Sequence, residues 1–287
     1  MVRARKAVQA LRVPALVLLA LAMARPQLGR SETQVTTAGV DIMLAIDASG
    51  SMQALDLDSD KPIRQRRNRL HVVKDVVERF IAKRENDALG MVVFGAQAFT
   101  QCPLTLDHGI VATFLESVQI GVAGDATAIG DGLATAVKRL KDGPAKSKVI
   151  VLLTDGRQNA GTFTPQKAAE IAKALGIKVY TIGAGTRGQA PFLVDTLFGP
   201  QVVPQDVDID EATLKEVAIL TSGAYFRAED AAGLARIYDQ IDALEKTEIT
   251  AKSYMEYDER YPAFVLPALA LLLFEVGLLG TRLRKLP

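Results

Sequence analysis

The chain has 287 residues and a formal net charge of +1, so its charge gives no reason to expect nucleic-acid binding. Its length is sufficient for one large α/β domain with additional segments. The single cysteine, Cys102, excludes an intramolecular disulfide and a cysteine-based zinc site, and the presence of only two histidines argues against a histidine-rich metal site.

The chain begins with a basic stretch followed by an apolar one, residues 13–24. Twelve helical residues reach about 18 Å, short of the roughly 30 Å hydrocarbon core. A helix starting at Ala7 approaches a full span if Arg12 extends back to the interface. The alternative is a cleaved signal peptide, because residues 22–24 follow a small-x-small pattern. Residues 1–30 are therefore predicted to be a membrane anchor, or a signal peptide, with a lead-in, and either one would send the following residues across a membrane.

The first predicted strand is the apolar run Ile42–Ile46, which suits a central parallel strand covered on both faces. It ends in Asp47, and Ser49 and Ser51 follow at alternate positions. This cluster of hard oxygen ligands suits Mg²⁺, Mn²⁺ or Ca²⁺. The same residues could instead cap a helix or form a turn.

A charged segment, Leu55–Arg67, follows the first strand. Three aspartates at alternate positions from Asp56 resemble the start of a calcium loop. An EF-hand, however, needs Gly where Lys61 stands and Glu where Arg67 stands, so we reject that interpretation. We interpret the segment as a solvated loop.

The rest of residues 31–245 alternates predicted helices and strands. The predicted helices are 68–83, 107–118, 129–141, 165–175, 210–220 and 233–244. The predicted strands are 89–94, 98–102, 149–153, 179–182 and 224–227. Pro103 is expected to end the second of these strands, and Gly183–Asp208 is interpreted as a surface excursion. The alternation predicts a doubly wound, mostly parallel six-stranded sheet with helices on both faces, similar to a Rossmann fold.

A second carboxylate, Asp155, follows the apolar strand 149–153. Ligands of doubly wound sheets lie beyond the carboxyl ends of the strands, where the strand order reverses. Asp47 and Asp155 both follow wholly apolar strands, so we place both strands in the middle of the sheet. If they are neighbours, their carboxylates meet, and Thr127 could join them from the glycine-rich segment Gly121–Gly132. That segment lacks the Gly-Lys-Ser/Thr ending of a phosphate-binding loop.

The end of the chain is a charged connector, residues 246–261, and a C-terminal helix with a basic tail, residues 262–287. Pro262–Gly280 would form a helix of about 28 Å, which is enough to span a bilayer. Glu275 is expected to pair with Arg282, two turns further on. Basic residues mark the cytoplasmic side of membrane segments, so both termini are predicted to be cytoplasmic and the domain extracytoplasmic.

Five of these positions resemble the metal-ion-dependent adhesion site of the von Willebrand factor type A domain, over about Val40–Leu244. They are Asp47, Ser49, Ser51, Thr127 in Gly-Asp-Ala-Thr-Ala-Ile-Gly, and Asp155 in Thr-Asp-Gly. The resemblance implies that the three hydroxyls contact the ion directly and that the carboxylates bind it directly or through water. We expect the partner-binding rim to include Met52, Asp125 and Gly156.

Shorter stretches resemble the membrane-anchored bacterial aerotolerance (Bat-type) proteins. They are Ala24-Arg-Pro-Gln, Asn68-Arg-Leu, Met91-Val-Val-Phe, Pro103-Leu-Thr and Tyr261-Pro before an apolar span. Members usually carry two hydrophobic segments before the domain, where this chain has one, and the insert Leu57–Arg67 is longer than usual. The resemblance implies a bacterial inner-membrane protein with a periplasmic domain, associated with other Bat-type proteins and a MoxR-type AAA+ ATPase.

The chemistry of the site predicts a binding module and not an enzyme. Two carboxylates and three hydroxyls leave the ion much of its charge and an open position, which a carboxylate of a protein partner could fill. One alternative is a metal-dependent hydrolase or phosphotransferase with Asp47 as nucleophile, although such phosphotransferases carry a second Asp where Ser49 stands. Another alternative is a structural scaffold with a non-functional ion site.

Overall fold

The described part of the chain forms two compact units. One unit is Thr37–Ala251, and the other combines Met1–Thr36 with Lys252–Pro287. The structure is a computed structural model that describes residues 12–30, 39–84, 86–196, 199–249 and 256–280.

The secondary structure is numbered here in chain order. The described α-helices are α1 (Arg12–Met23), α2 (Arg69–Ala82), α3 (His108–Ser117), α4 (Ile129–Leu140), α5 (Pro165–Ala174), α6 (Glu211–Leu220), α7 (Ala231–Ile249) and α8 (Pro262–Gly280). The described strands are β1 (Gln27–Arg30), β2 (Asp41–Asp47), β3 (Ala88–Phe94), β4 (Ala98–Thr105), β5 (Lys148–Thr154), β6 (Lys178–Ala184), β7 (Gly188–Thr196), β8 (Gly199–Val207), β9 (Tyr225–Ala228) and β10 (Glu256–Glu259).

A six-stranded sheet forms the centre of the larger unit. Its strand order is β4-β3-β2-β5-β6-β9, and only β4 runs antiparallel to its neighbour. The order reverses between β2 and β5, which pair in parallel with Ile46 opposite Leu153. The predicted doubly wound, mostly parallel six-stranded sheet is confirmed.

Alternate residues of β2 enter two separate hydrophobic cores, which explains why the strand is apolar throughout. Ile42, Leu44 and Ile46 pack in the core under α2, α3 and α7. Met43 and Ala45 pack in the core under α4, α5 and α6. The helices thus cover both faces, and the carboxyl end of β2 emerges between the two layers.

One prediction about a strand is wrong, and another is incomplete. β4 does not end at Pro103 but continues to Thr105, which an edge strand allows because the N–H of one side needs no partner. The segment Gly183–Asp208 contains the two-stranded ribbon β7–β8, in which Pro191 lies opposite Pro204. These prolines interrupt the alternation by which a strand is usually recognised.

The prediction of a solvated loop over Leu55–Arg67 is wrong for residues 55–58, which are buried, whereas residues 59–67 are exposed or half-buried. Asp56 and Asp58 are only 3% and 2% exposed. Asp56 forms an ion pair with Arg69, and Asp58 with Arg67. Burial of the aspartates is tolerated because each carboxylate faces a guanidinium group.

In the smaller unit α1 packs against α8, and β1 pairs with β10 in antiparallel fashion. Glu275 is buried and accepts a hydrogen bond from Arg12 Nε at 2.7 Å. Arg282, the predicted partner of Glu275, lies outside the described residues. So do most of the basic residues on which the predicted orientation depends.

No helix in the described ranges has both the length and the apolar character required to cross a membrane. The spanning role of the two terminal segments stays a prediction.

Candidate metal centre

The two carboxylates predicted to share a site lie at adjacent strand ends. Asp47 is the last residue of β2, and Asp155 follows β5, the strand next to it. Asp155 Oδ1 accepts a hydrogen bond from Ser51 Oγ at 2.5 Å, so the turn after β2 is bonded to the turn after β5. The expectation that these strands are neighbours is confirmed.

The turn after β2 is organised by the side chain of Asp47. Asp47 Oδ1 accepts from the backbone N–H of Ser49 at 2.8 Å, and Oδ2 accepts from Thr154 Oγ1 at 2.6 Å. A short 3₁₀ helix, Gly50–Gln53, then begins, and the Oγ atoms of Ser49 and Ser51 lie 3.1 Å apart. The alternating serines thus present two hydroxyl groups beside one carboxylate.

Thr127 lies beside these groups and is nearly buried. Its backbone N–H donates to Asn159 Oδ1 at 2.7 Å, which fixes the loop before α4 against the loop after β5. A Cβ atom added to Gly156 would lie 3.4 Å from Thr127 Oγ1 and 3.9 Å from Ser51 Oγ. The glycine therefore leaves free space where the two hydroxyls converge.

This space opens into a cavity of about 430 Å³. Ser51, Thr127 and Asp155 line its floor, and Asp125 and Gly156 line it as well, at the positions predicted for the rim. The β7–β8 ribbon supplies a wall that includes Phe192, Leu193 and Val194.

Met52 does not contribute to the rim, contrary to our prediction. Its side chain is 0% exposed and packs in the hydrophobic core that contains the α2 side chains. Within the 3₁₀ helix, Ser51 faces the cavity and Met52 faces the protein interior.

Burial opposes the charge of both carboxylates. Desolvation, and then the nearby charge of Asp155, raise the pKa of Asp47 to about 7. Burial also raises the pKa of Asp155, although its ion pair with Arg69 opposes this change. In the ion-free site, burial thus works against the charged form of each carboxyl group, and a bound cation would relieve the repulsion between the two carboxylates.

Sequence reasoning did not identify Arg69, which contacts the site directly. The side chain is 0% exposed, and its Nη1 donates to Asp155 Oδ2 at 2.7 Å. Its position within the Asn68-Arg-Leu stretch was the available signal, but that stretch suggested only family membership. Nothing in the local charge pattern indicates a buried arginine at the first position of a helix.

The donor set fits a hard divalent cation. The hydroxyls of Ser51 and Thr127 face the space beside Gly156, Ser51 contacts Ser49 and Asp155, and Asp47 ends the strand next to Asp155. Within the described residues, no group of three or more His, Cys, Asp or Glu side chains could hold a metal ion. A cation at this position would therefore depend on the hydroxyls of Ser49, Ser51 and Thr127, which suits Mg²⁺ or Mn²⁺ better than a soft metal.

Comparison with known proteins identifies the family. A sequence profile of the von Willebrand factor type A domain matches residues 41–240. The chain is similar to the conserved hypothetical protein BatB from Bacteroides thetaiotaomicron, with 29% identity, a TM-score of 0.61, and coverage of 72% of this chain and 100% of that chain. It is also similar to an aerotolerance-related membrane protein from Bacteroides fragilis, with 30% identity, a TM-score of 0.58, and coverage of 70% and 98%.

A more distant structure shares the fold alone. Proximal thread matrix protein 1 from the mussel byssus is 22% identical, with a TM-score of 0.51, and the match covers 77% of this chain and 47% of that chain. The adhesion motif of that protein is occupied by zinc. The profile match and the two bacterial structures show that the chain belongs to the von Willebrand factor type A domain family and, within it, to the Bat-type aerotolerance proteins.

Proposed function

We propose that the protein is a divalent-metal-dependent protein-binding module. The ion, Mg²⁺ or the similar Mn²⁺ or Ca²⁺, would be held by five residues, Asp47, Ser49, Ser51, Thr127 and Asp155. The observation that carries the proposal is that Ser51, Thr127 and Asp155 line one open cavity, with Ser51 bonded to Asp155 and its Oγ 3.1 Å from that of Ser49, directly beside the buried Asp47.

The hydrogen bonds of the site explain why a partner's carboxylate would be attracted. Asp155 accepts from Ser51 on one oxygen and from Arg69 on the other, so part of its charge is already balanced. Three of the five proposed ligands are neutral hydroxyls. An ion in this environment keeps much of its positive charge, and a Glu or Asp of a protein partner could replace a water and neutralise it.

Binding fits the site better than catalysis with Asp47 as nucleophile. Both oxygens of Asp47 accept hydrogen bonds, and the side chain is 0% exposed. His108 Nε2 donates to the backbone O of Asp87, beside the amino end of β3 and away from the cavity. Type A domains are typically interaction modules, which agrees with this choice.

We further propose that the protein is attached to the bacterial inner membrane, with the type A domain in the periplasm and both termini in the cytoplasm. Support comes from the description of the Bacteroides fragilis neighbour as a membrane protein and from the basic residues that flank both terminal apolar segments. By family resemblance, the proposed partners are other Bat-type proteins and a MoxR-type AAA+ ATPase.

The proposed orientation can be tested with a reporter that is active only in the cytoplasm. Inserted at the exposed residue Asp142, the reporter should be silent. Reporter activity would overturn the orientation.

The function is tested by partner capture from native membranes with the full-length chain. Mg²⁺ should support capture, and EDTA should abolish it. Asp47→Asn should abolish both capture and the heat of Mg²⁺ binding in calorimetry, because it removes a ligand charge while preserving side-chain shape. The same substitution at exposed Asp142 is the matched control and should change neither. Normal capture by Asp47→Asn would show that the site is not the binding surface.

A further inference from the structure

A network of buried hydrogen bonds runs from the candidate metal centre to the base of the β7–β8 ribbon. Its centre is Arg69, the first residue of α2. Nε and Nη2 of Arg69 donate to Asp56 Oδ1 at 2.8 Å and to Oδ2 at 2.6 Å. The third donor, Nη1, bonds to Asp155 Oδ2. One guanidinium group therefore bridges a proposed ion ligand and a second carboxylate outside the site.

The second carboxylate holds the residues that lead into the ribbon. Asp56 Oδ2 accepts from the backbone N–H of Thr186 at 2.8 Å and from its Oγ1 at 2.9 Å. Thr186 lies two residues before β7 begins. We call Thr186, Asp56, Arg69 and Asp155 the Arg69 network.

The geometry of the network leaves little freedom for the guanidinium group. A Cβ atom at Gly185, whose φ is +132°, would lie 2.4 Å from Nη2 of Arg69. Arg69 N also donates to Ala54 O at 2.9 Å, and Ala54 packs with Ala190 and Phe192 of the ribbon. The turn, the helix start and the ribbon thus meet around one side chain.

Charge gives a reason to expect the network to respond to an ion. Burial opposes ionisation of Asp56, but the hydrogen bonds from Arg69 hold its pKa below the usual value, so Asp56 and Arg69 form a charged pair. Asp155 shares Arg69 with Asp56. A cation beside Asp155 would attract the same carboxylate that Arg69 contacts. The guanidinium group would then either bond more strongly to Asp56 or shift together with Asp155. In both cases the change reaches Thr186 through direct hydrogen bonds.

We propose that Arg69 is a positioning residue that couples ion binding at the metal centre to the order of the β7–β8 ribbon. The inference rests on the proposed metal-dependent function. Coupling is reciprocal, so a partner that fixes the ribbon also tightens the ion by the same factor. A partner could thus lock the ion in place through the cavity wall as well as through its own carboxylate.

The experiment measures amide hydrogen exchange of the full-length chain with and without Mg²⁺, alongside calorimetry. In the wild type, Mg²⁺ should slow amide exchange in the ribbon, residues 188–207, about fivefold, which is at the lower end of common coupling strengths. The amides of the surface helix α3 serve as the reference. Arg69→Lys keeps the charge but lacks the planar fork that bridges two carboxylates. This variant should still bind Mg²⁺, and the slowing in the ribbon should disappear.

Arg67→Lys is the matched control, because Arg67 pairs with Asp58 and Asp75 outside the network. It should retain the full Mg²⁺ effect. If Arg69→Lys does not fold, Thr186→Val removes one donor to Asp56 without touching the ion ligands. It should weaken the effect on the ribbon while Mg²⁺ still binds, with an affinity that changes by no more than about the fivefold coupling factor.

The outcomes separate the two proposals. Absence of Mg²⁺ binding by the wild type overturns the proposed function. Normal Mg²⁺ binding with no change in ribbon exchange overturns only the coupling. Full slowing in Arg69→Lys, or in Thr186→Val where that variant is used, also overturns it.

Discussion

Protons and a metal ion compete for the same buried side chain at this site. Because burial and Asp155 raise the pKa of Asp47 to about 7 in the ion-free protein, the carboxyl must lose its proton before it can bind a cation. We expect the apparent Mg²⁺ affinity to be nearly constant above this pH and to fall about tenfold per pH unit below it. Calorimetry between pH 5.5 and 8.5 measures this slope, and an affinity independent of pH would contradict the prediction.

The same shift has a defined effect on stability without an ion. The pKa of Asp47 is higher in the folded state than the value of 3.8 expected after unfolding. The folded state therefore binds more protons between about pH 4 and pH 7, so its stability decreases as pH rises through this window. Asp47→Asn should remove this contribution, which urea unfolding in the presence of EDTA can measure.

The free space beside Gly156 gives a second prediction for a single residue. Gly156→Ala places a methyl group 3.4 Å from Thr127 Oγ1, an ordinary contact that the fold accepts but that fills the space for an ion. Mg²⁺ affinity should fall by about tenfold or more, which corresponds to about 1.4 kcal/mol, with little change in thermal stability. The control is Gly109→Ala on the exposed face of α3, which should leave affinity intact. Unchanged Mg²⁺ binding in Gly156→Ala would place the ion elsewhere.

At the scale of the element, the start of α2 matters to the site because Arg69 is its first residue. Asn68 caps this helix by accepting a hydrogen bond from His71 N–H, and Asp210 caps α6 in the same way through Thr213. Removing either cap should cost about 1 kcal/mol of stability. Asn68→Ala should also weaken Mg²⁺ binding, whereas Asp210→Ala should not. Equal Mg²⁺ affinities in the two variants would show that the helix start does not influence the site.

Most of the sheet could be predicted because its strands are continuous apolar runs, as in β2 and β5, whose residues are buried on both faces. The β7–β8 ribbon could not be recognised, because Pro191 and Pro204 interrupt it and its exposed side chains follow no simple alternation. The burial of Asp56 and Asp58 could not be predicted, because the sequence does not show which arginine side chain will pair with a buried aspartate.

The candidate site was also predictable only in part. The proposed ligands fall in a recognisable order, and all but Thr127 lie at or just after strand ends, so a shared site could be predicted. Arg69 could not, because its bond to Asp155 joins residues 86 positions apart and depends on how α2 packs. Adjacency to Ser51 does not bring Met52 to the rim, because successive residues of a tight turn point in different directions.

At the scale of the whole molecule, the site depends on distant parts of the chain. The bond between Ser51 and Asp155 spans 104 positions, and it requires the parallel pairing of β2 with β5. The chain between these strands holds α2, β3, β4, α3 and α4, so their pairing is a contact of long sequence separation, which forms slowly. We therefore expect Asp47 and Asp155 to come together late in folding.

This late assembly has a kinetic consequence. An ion that requires both strand ends can stabilise the native state but has little to bind in the folding transition state. Mg²⁺ should therefore slow unfolding and leave the refolding rate nearly unchanged. Stopped-flow chevron measurements on the wild type and on Asp47→Asn can test this, and faster refolding with Mg²⁺ in the wild type alone would show that the strand ends meet early. If unfolding alone is slowed, the metal extends the lifetime of a domain that has already folded.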